Sequence, residues 1–196
     1  MQQVIVIHGG DSFDTYDEYL DSLKNQEVSL ETFLPHAPDW RRNLQIDIGD
    51  EFQILMPEMP NSKNARYIEW KIWFERILPF LSEEVILVGH SQGAVFLSKY
   101  LSENNFSTKI KGLLLVAAPH NHIPEIGDFR LAKPLGVLRD QCANIHLFHS
   151  KDDKVVPFSE LSEYQKELPT AKTYVFDDRG HFNQEHFPEL VEVIRN

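Results

Sequence analysis

Residues 85–101 read VILVGHSQGAVFLSKYL. The first four residues, Val85–Val88, form a continuous apolar run of the kind found in a strand covered on both faces of a parallel sheet. The last eight, Ala94–Leu101, are apolar on nearly every side, which predicts a helix packed against the centre of that sheet. The residues between them, Gly89–Gly93, must then form a sharp turn that joins the strand to the helix.

Ser91 lies in the middle of this turn, with a glycine two positions before it and another two positions after it. A sharp strand-to-helix turn holds its central residue in a strained backbone conformation, which is tolerated only if those neighbours lack side chains. The turn also places the hydroxyl at a helix N-terminus, where free N–H groups and the helix dipole favour developing negative charge. The pattern therefore predicts Ser91 as a catalytic nucleophile.

The rest of the chain alternates short apolar runs with longer amphipathic stretches. The predicted strands are Val4–Ile7, Phe52–Met56, Val85–Val88, Leu113–Ala118, Ile145–Phe148 and Tyr174–Phe176. Helical periodicity occurs near Thr15–Lys24, over Ala65–Leu81 with one face formed by Ile68, Ile72, Trp73, Ile77 and Leu81, and at the C-terminus in Phe187, Leu190, Val191 and Ile194. This alternation predicts an α/β fold built on a doubly wound parallel sheet.

A single domain over residues 1–196 is expected, because no internal repeat, low-complexity tract or Pro/Gly/Ser-rich linker interrupts the sequence. One segment, 11–51, departs from the regular alternation because it is long for a connection between two strands. We interpret it as an extended first crossover. It includes the stretch Pro35–Trp40, PHAPDW.

Composition excludes several classes of protein. Nineteen Lys and Arg against thirty Asp and Glu give a net charge of −11, which opposes binding to nucleic acid or to anionic membranes. The single cysteine, Cys142, cannot form an intramolecular disulfide. The N-terminal apolar run, Val4–Ile7, is too short for a signal peptide or a membrane span. We therefore expect a cytoplasmic protein without a membrane or nucleic-acid partner.

A nucleophilic serine also needs hydrogen-bond donors for the oxyanion of the tetrahedral intermediate. One predicted donor is the backbone N–H of Gln92, directly after the nucleophile. The second is expected from the loop His8-Gly9-Gly10, which follows the first strand and lets backbone approach a ligand closely. The N–H of Gly10 is favoured, with Gly9 nearly equal to it. His8 is interpreted as a residue that shapes this loop.

The acid and the base of a catalytic triad should follow Ser91 in that order along the chain. Two carboxylates, Asp152 and Asp153, follow the strand Ile145–Phe148, and their positions alone do not distinguish between them. His181 follows the last strand and lies in a loop before the terminal helix. His186 is the rival base, but its place at the start of that helix favours a capping role.

Four segments together resemble a known family: GHSQG at Gly89–Gly93, FQILMPEMP at Phe52–Pro60, SKDD at Ser150–Asp153 with Val156-Pro157 after it, and GHF at Gly180–Phe182. They are similar to the small, lidless α/β-hydrolases related to the retinoblastoma-binding protein nine group of serine hydrolases. The resemblance implies a mostly parallel sheet of about six strands with helices on both faces. It also implies that Asp153 is the catalytic acid, and it supports His181.

The segment 11–51 is longer than the usual first crossover of that family, so the family's substrate preferences are not transferred. The segment follows the oxyanion loop and is expected to help roof the pocket. The interval between Ala118 and Asn144, where a cap domain usually inserts, is too short to hold one. We therefore expect a site that is open or roofed only by loops.

Two further histidines, His90 and His120, are predicted to line the substrate pocket. His120-Asn121-His122 has a spacing that could suit a metal ion, but no third ligand is evident, so no metal site is predicted. No cofactor is expected either.

The predicted function is that of a serine hydrolase that cleaves a small carboxylic ester or thioester. Ser91 would form the acyl-enzyme, His181 would act as the base and Asp153 would orient it. Two alternatives remain open at this point. One is a catalytically silent scaffold of the same fold that binds a protein partner, although the sequence does not indicate such a partner. The other is acyl transfer to an acceptor other than water.

Overall fold

A computed structural model describes residues 1–34 and 38–196. Pro35, His36 and Ala37, part of the PHAPDW stretch, lie outside the described residues. The framework is a sheet in the order β2-β1-β3-β4-β5-β6, in which every pair of neighbouring strands is parallel. Its strands are β1 (Gln2–Ile7), β2 (Phe52–Leu55), β3 (Glu84–His90), β4 (Lys109–Val116), β5 (Ile145–Ser150) and β6 (Lys172–Phe176). The predicted doubly wound α/β sheet of about six strands is confirmed.

Helices occupy most of the connections between the strands. They are α1 (Tyr16–Asn25), α2 (Trp40–Ile48), α3 (Tyr67–Glu75), α4 (Gln92–Glu103), α5 (Leu138–Gln141), α6 (Ser159–Glu167) and α7 (Pro188–Arg195). Short 3₁₀ turns cover Leu30–Phe33, Leu78–Phe80, Pro124–Phe129 and Leu135–Val137. Among the described residues, no helix combines the length and the apolar character that crossing a membrane requires.

The sheet is buried on both faces because the strand side chains alternate between two apolar clusters. One cluster joins alternate residues of β1, β3, β4 and β5 to α3, α4, α5 and α6. The other joins the intervening strand residues to α2 and α7. Helix α4 lies nearest the centre, and all its residues from Gln92 to Ser102 are buried. The prediction of a central helix after the glycine-rich turn is therefore confirmed.

The buried face of α3 differs from the predicted one. Tyr67, Trp70 and Phe74 are buried, whereas Ile68 and Ile72 are more than half exposed. Aromatic edge-to-face contacts explain the difference, because Trp70 and Phe74 both pack against Phe96 of α4. The helix also ends earlier than predicted, at Glu75 rather than Leu81.

The first crossover contains two helices with different environments. Helix α1 begins where the sequence predicts it, after a capping box between Thr15 and Glu18, and none of its residues is buried. Helix α2 buries Trp40, Leu44 and Ile48 against the sheet. Only the second helix therefore contributes to the core, and the first is held outside it.

Parallel strands bring four loops to one edge of the sheet, at the carboxyl ends of β1, β3, β5 and β6. These loops are the glycine pair after β1, the turn around Ser91 after β3, the two aspartates after β5 and the segment around His181 after β6. The topology therefore collects all the residues predicted as catalytic at the same edge.

Gly93 lies at the closest approach between α4 and β1, and a substitution there tests the fold. A Cβ at this position would lie 2.1 Å from the carbonyl oxygen of Ile7. We expect Gly93→Ala to lower the free energy of unfolding by about 3 kcal/mol, because backbone must move to relieve the overlap. Urea denaturation measures this loss.

Gly136→Ala is the matched control, since a Cβ there would meet only the flexible end of Arg139 at 3.7 Å. A Gly93→Ala protein as stable as the Gly136→Ala protein would contradict the close packing of α4 on β1.

Candidate active site

Ser91 occupies the junction between β3 and α4 in a left-handed backbone conformation, with φ 54° and ψ −121°. Its N–H donates to the carbonyl oxygen of Val116 (2.9 Å), and its own carbonyl accepts from the N–H of Ala94 (2.9 Å). A side chain in this region of backbone space is strained by about 1–3 kcal/mol. The surrounding structure therefore imposes the conformation, as the turn pattern predicts.

The two glycines of the turn are required because backbone surrounds both of them. A Cβ at Gly89 would lie 2.5 Å from the Cα of Ala94, and one at Gly93 would overlap Ile7. Their absent side chains allow α4 to start directly over the end of β3. Gln92 is the first residue of α4, and N–H groups in the first helical turn have no acceptor within the helix. The Gln92 N–H is thus available to an oxyanion.

Of the two glycines after β1, Gly9 is the one that lies against the serine. A Cβ at Gly9 would be 3.1 Å from the Cβ and 3.6 Å from the Oγ of Ser91. Gly10 instead packs against the carbonyl oxygen of Ser62 and the ring of Trp70. These distances describe where a side chain would lie and not where the N–H groups point, so the order of preference between Gly10 and Gly9 as oxyanion donor stays a prediction.

His8 holds the glycine loop in place with both ring nitrogens. Its Nε2 accepts from the N–H of Met59 (2.8 Å), so its Nδ1 carries the proton and donates to the carbonyl oxygen of Gly9 (2.6 Å). The ring also packs edge-on against Trp70. These contacts agree with the interpretation of His8 as a residue that shapes the loop.

His181 is hydrogen-bonded to Asp153, with 2.8 Å between Nδ1 and Oδ2. The Asp153 side chain is fully buried, and its other oxygen accepts from the N–H groups of Val155 (2.8 Å) and Val156 (3.0 Å). Burial raises the pKa of Asp153, but the hydrogen bond and charge of His181 and the two backbone donors outweigh it, so the pKa is lowered overall. Because a carboxylate only accepts, His181 carries its proton on Nδ1 and its Nε2 can act as a base.

The other candidates for acid and base have different environments. Asp152 is exposed, and its Oδ1 accepts from Ser150 Oγ (2.5 Å) and from the N–H of Gly180 (2.8 Å). His186 lies at the surface and bonds to Asp47, which raises its pKa. Asp153 and His181 are thus the pair that the structure brings together, and Asp152 supports the loop that contains His181.

His90 connects this loop to the turn around the serine. Its Nε2 lies 2.8 Å from the carbonyl oxygen of His181, and the two rings are 4.9 Å apart. Its Nδ1 lies 3.2 Å from Nη1 of Arg41. Burial lowers the pKa of His90 well below 6.5, and the nearby His181 and Arg41 lower it further. His90 is therefore a neutral, buried link.

A cavity of about 1430 Å³ adjoins the glycine loop. The first crossover supplies one wall, with Tyr16 and Tyr19 from α1 and Arg41 and Arg42 from α2. Further lining residues come from the segment after β2, including Met56, Pro57, Met59, Ser62 and Arg66. The extended crossover thus forms a side of the cavity, in line with the expectation that it encloses the pocket.

His90 and His120 are not among the residues that line this cavity, and neither are Ser91 and His181, so their place in the substrate pocket stays a prediction. His90 is 2% exposed and is surrounded by Arg41 and His181. The ring of His120 bonds to Glu167 (3.0 Å) and packs against Tyr164 of α6. Within the described part of the chain, no group of three His, Cys, Asp or Glu is arranged to hold a metal ion.

Several residues around His181 were not anticipated from the sequence. Trp40 donates from Nε1 to the carbonyl oxygen of Phe182 (2.9 Å), and Ser150 Oγ accepts from the N–H of Arg179 (3.0 Å). Arg41 is the third such residue, and it contacts the loop indirectly, through Nδ1 of His90. The only sequence signal for Trp40 and Arg41 was their place in the unusually long crossover, and that signal did not indicate which strand end they would reach.

The sequence of this chain is similar to those of known serine hydrolases. The family model described as "Serine hydrolase" matches residues 36–193. The serine hydrolase RBBP9 of Rattus norvegicus is 31% identical over 153 residues, which cover 74% of this chain and 77% of the relative.

Solved structures share the fold at lower identity. The ydeN gene product of Bacillus subtilis superposes with a TM-score of 0.72 at 21% identity, over 100% of this chain and 97% of that one. A meta-cleavage product hydrolase from Pseudomonas fluorescens IP01 gives a TM-score of 0.66 at 14% identity, over 99% and 89% of the two chains. These similarities establish the fold.

The strain at Ser91 leads to a prediction about stability. Glycine adopts a positive φ without a steric penalty, so Ser91→Gly should relieve the strain, whereas Ser91→Ala should retain it. We expect the Gly variant to exceed the Ala variant by about 1 kcal/mol in the free energy of unfolding, after the entropic disadvantage of glycine. Chemical denaturation of the two variants provides the measurement. An Ala variant of equal or greater stability would show that the turn is unstrained.

Proposed function

This chain belongs to the serine hydrolase family, and we propose that it cleaves a small carboxylic ester or thioester through an acyl-enzyme intermediate on Ser91. The hydrogen bond between His181 and Asp153 is the observation that chiefly supports the proposal. It leaves the Nε2 of His181 free to take a proton, next to a turn that holds a serine in strained geometry. In this proposal residues 1–196 act as one α/β-hydrolase domain, with 11–51 as its extended first crossover.

The first half of the reaction forms the acyl-enzyme. Ser91 Oγ attacks the substrate carbonyl carbon while its proton passes to Nε2 of His181. The buried carboxylate of Asp153 stabilises the imidazolium that results and holds the ring in its productive orientation. His181 then gives the proton to the departing alcohol or thiol as the tetrahedral intermediate collapses to acyl-Ser91.

The oxyanion of the intermediate is assigned to two backbone donors. The Gln92 N–H points from the start of α4, and the loop Gly9-Gly10 supplies the second N–H from the end of β1. Gly10 and Gly9 are both candidates for this second donor, in the loop whose Gly9 would place a Cβ 3.1 Å from the Cβ of Ser91. In the second half of the reaction, water loses a proton to His181 and attacks acyl-Ser91, and His181 returns that proton to Ser91 Oγ as the carboxylic acid is released.

An ester or thioester is preferred over an amide because alcohols and thiols are better leaving groups than amines. The cavity beside Gly9 is large enough for a small-molecule substrate and combines tyrosine and methionine side chains with cationic ones. Hydrolysis by water is the simplest outcome for a site without a cap domain. A cytoplasmic location, drawn from the composition, stays a prediction.

A fluorophosphonate probe tests the nucleophile directly. We expect it to label wild-type protein at Ser91, because the probe reacts with activated serines, and to leave Ser91→Ala unlabelled. With short p-nitrophenyl esters, Ser91→Ala and His181→Ala should each lower kcat by several orders of magnitude while circular dichroism stays unchanged.

Folded wild-type protein that neither reacts with the probe nor hydrolyses these esters would contradict the proposal. That result would favour the alternative of a silent scaffold that binds a protein partner. Product analysis with an added alcohol distinguishes hydrolysis from acyl transfer to another acceptor.

The two adjacent aspartates provide a matched test of the acid. Asp153→Asn replaces the carboxylate by an amide that permits the wrong tautomer of His181, and we expect kcat to fall by about 10⁴-fold. Asp152→Asn keeps an oxygen acceptor for Gly180 and should change kcat only about threefold. Steady-state kinetics on one ester substrate gives both values. Equal losses in the two variants would refute the assignment of Asp153.

A further inference from the structure

The start of α2 holds an arginine whose contacts the catalytic proposal does not use. Asp39 caps the helix by accepting from the N–H of Arg41 (3.0 Å), and its carboxylate also pairs with the guanidinium of Arg41. Nε of Arg41 lies 3.1 Å from each carboxylate oxygen. The guanidinium is thus fixed in direction by its own helix cap, with a side chain that is only 20% exposed.

The fixed guanidinium determines the protonation of His90. Arginine only donates hydrogen bonds, so the Nδ1 of His90, 3.2 Å from Nη1 of Arg41, must carry a lone pair. A backbone carbonyl only accepts, so the Nε2 of His90, 2.8 Å from the oxygen of His181, must carry the proton. Both contacts can be satisfied only by the neutral ring with its proton on Nε2.

From these contacts we propose that Arg41 is a positioning residue, which holds His90 in the single neutral tautomer that anchors the backbone of His181. The inference rests on the proposed function, because it concerns the placement of the proposed base. Arg41 itself lies at the wall of the cavity and acts on the base only through His90.

Neighbouring residues support the same loop from the same helix end. Trp40, which lies between Asp39 and Arg41 in the sequence, donates to the carbonyl oxygen of Phe182 and packs edge-on against His90. The carbonyl groups of two successive loop residues, His181 and Phe182, are therefore both held from the N-terminus of α2. Small displacements of a reacting group can lower a rate about 100-fold, so support of this kind bears on catalysis.

Keeping His90 neutral has an electrostatic consequence as well. Its ring is 4.9 Å from that of His181, which becomes cationic when it takes the serine proton. A cationic His90 would repel this imidazolium at the moment it forms. The charged and titratable groups that act on His90 are His181 and Arg41, which oppose a second proton, and Asp39, which favours one.

The kinetic test compares two arginines. Arg41→Met removes the donor to His90, and we expect kcat for a p-nitrophenyl ester to fall about tenfold. Arg76→Met is the matched control, because it removes the same charge from an exposed position outside the cavity lining. It should leave kcat within about twofold of wild type. Equal losses of kcat in the two variants would mean that the loss of a positive charge alone is responsible, and would overturn the proposal.

A double-mutant cycle tests whether Arg41 acts through His90. In His90→Gln the amide nitrogen can still donate to the carbonyl oxygen of His181, but the ring nitrogen Nδ1 that accepts from Arg41 is removed. In that background Arg41→Met should change kcat by no more than about twofold. A tenfold loss in both backgrounds would show that Arg41 acts by another route, which would overturn the proposal.

Nuclear magnetic resonance provides a readout that needs neither a substrate nor the His90 variant. The ¹⁵N shifts of the His90 ring should show a neutral imidazole with its proton on Nε2 in wild-type protein. In Arg41→Met the ring should take a second proton at a higher pH than in wild type, because a neighbouring positive charge is removed.

A proton on Nδ1 of His90 in the wild-type protein, or a cationic ring at neutral pH, would overturn the proposal. This result is independent of activity, so failure of the tautomer assignment and failure of the proposed hydrolase function can be told apart.

Discussion

The backbone of Gly93 touches the carbonyl group of Ile7 so closely that no side chain could stand between them. This contact fixes the start of α4 against the end of β1, and the rest of the site follows from it. It brings the Gly9 backbone against Ser91, so the donors assigned to the oxyanion come from two elements that cannot shift independently. The burial of nearly all of α4 stabilises the arrangement and balances the strained backbone at Ser91.

The loop that contains His181 is held at four consecutive backbone positions in addition to its side-chain contacts. The N–H of Arg179 donates to Ser150, the last residue of β5, and the N–H of Gly180 donates to Asp152 just after it. The next two carbonyl oxygens, those of His181 and Phe182, accept from His90 and Trp40. The imidazole therefore needs little reorganisation to reach its acid partner. Preorganisation of this kind lowers an activation barrier because ordering is completed during folding rather than during the reaction.

The parts of this structure that sequence reasoning predicted are those that depend on local patterns. The turn Gly89–Gly93 and the six strands follow from short-range constraints on the backbone and on burial. The buried face of α3 was predicted incorrectly because Trp70 is selected by its partners on α4, which periodicity along one helix does not reveal. The same reason explains why the sequence did not indicate Arg41, whose contact with His90 joins segments far apart in the chain.

The first crossover contributes both to the wall of the cavity and to the support of the loop that contains His181. Arg41 lines the cavity with its exposed edge and bonds to His90 with Nη1, so a ligand that pulls on the guanidinium also acts on the anchor of His181. Asp39 limits this pull, because it competes for the same guanidinium from within the chain. Under the proposed function, substrate binding and placement of the base would thus be linked through one side chain. Changes at Arg41 should consequently alter kcat and KM together, whereas changes in the exposed helix α1 of the same crossover, which buries no residue, should affect KM alone.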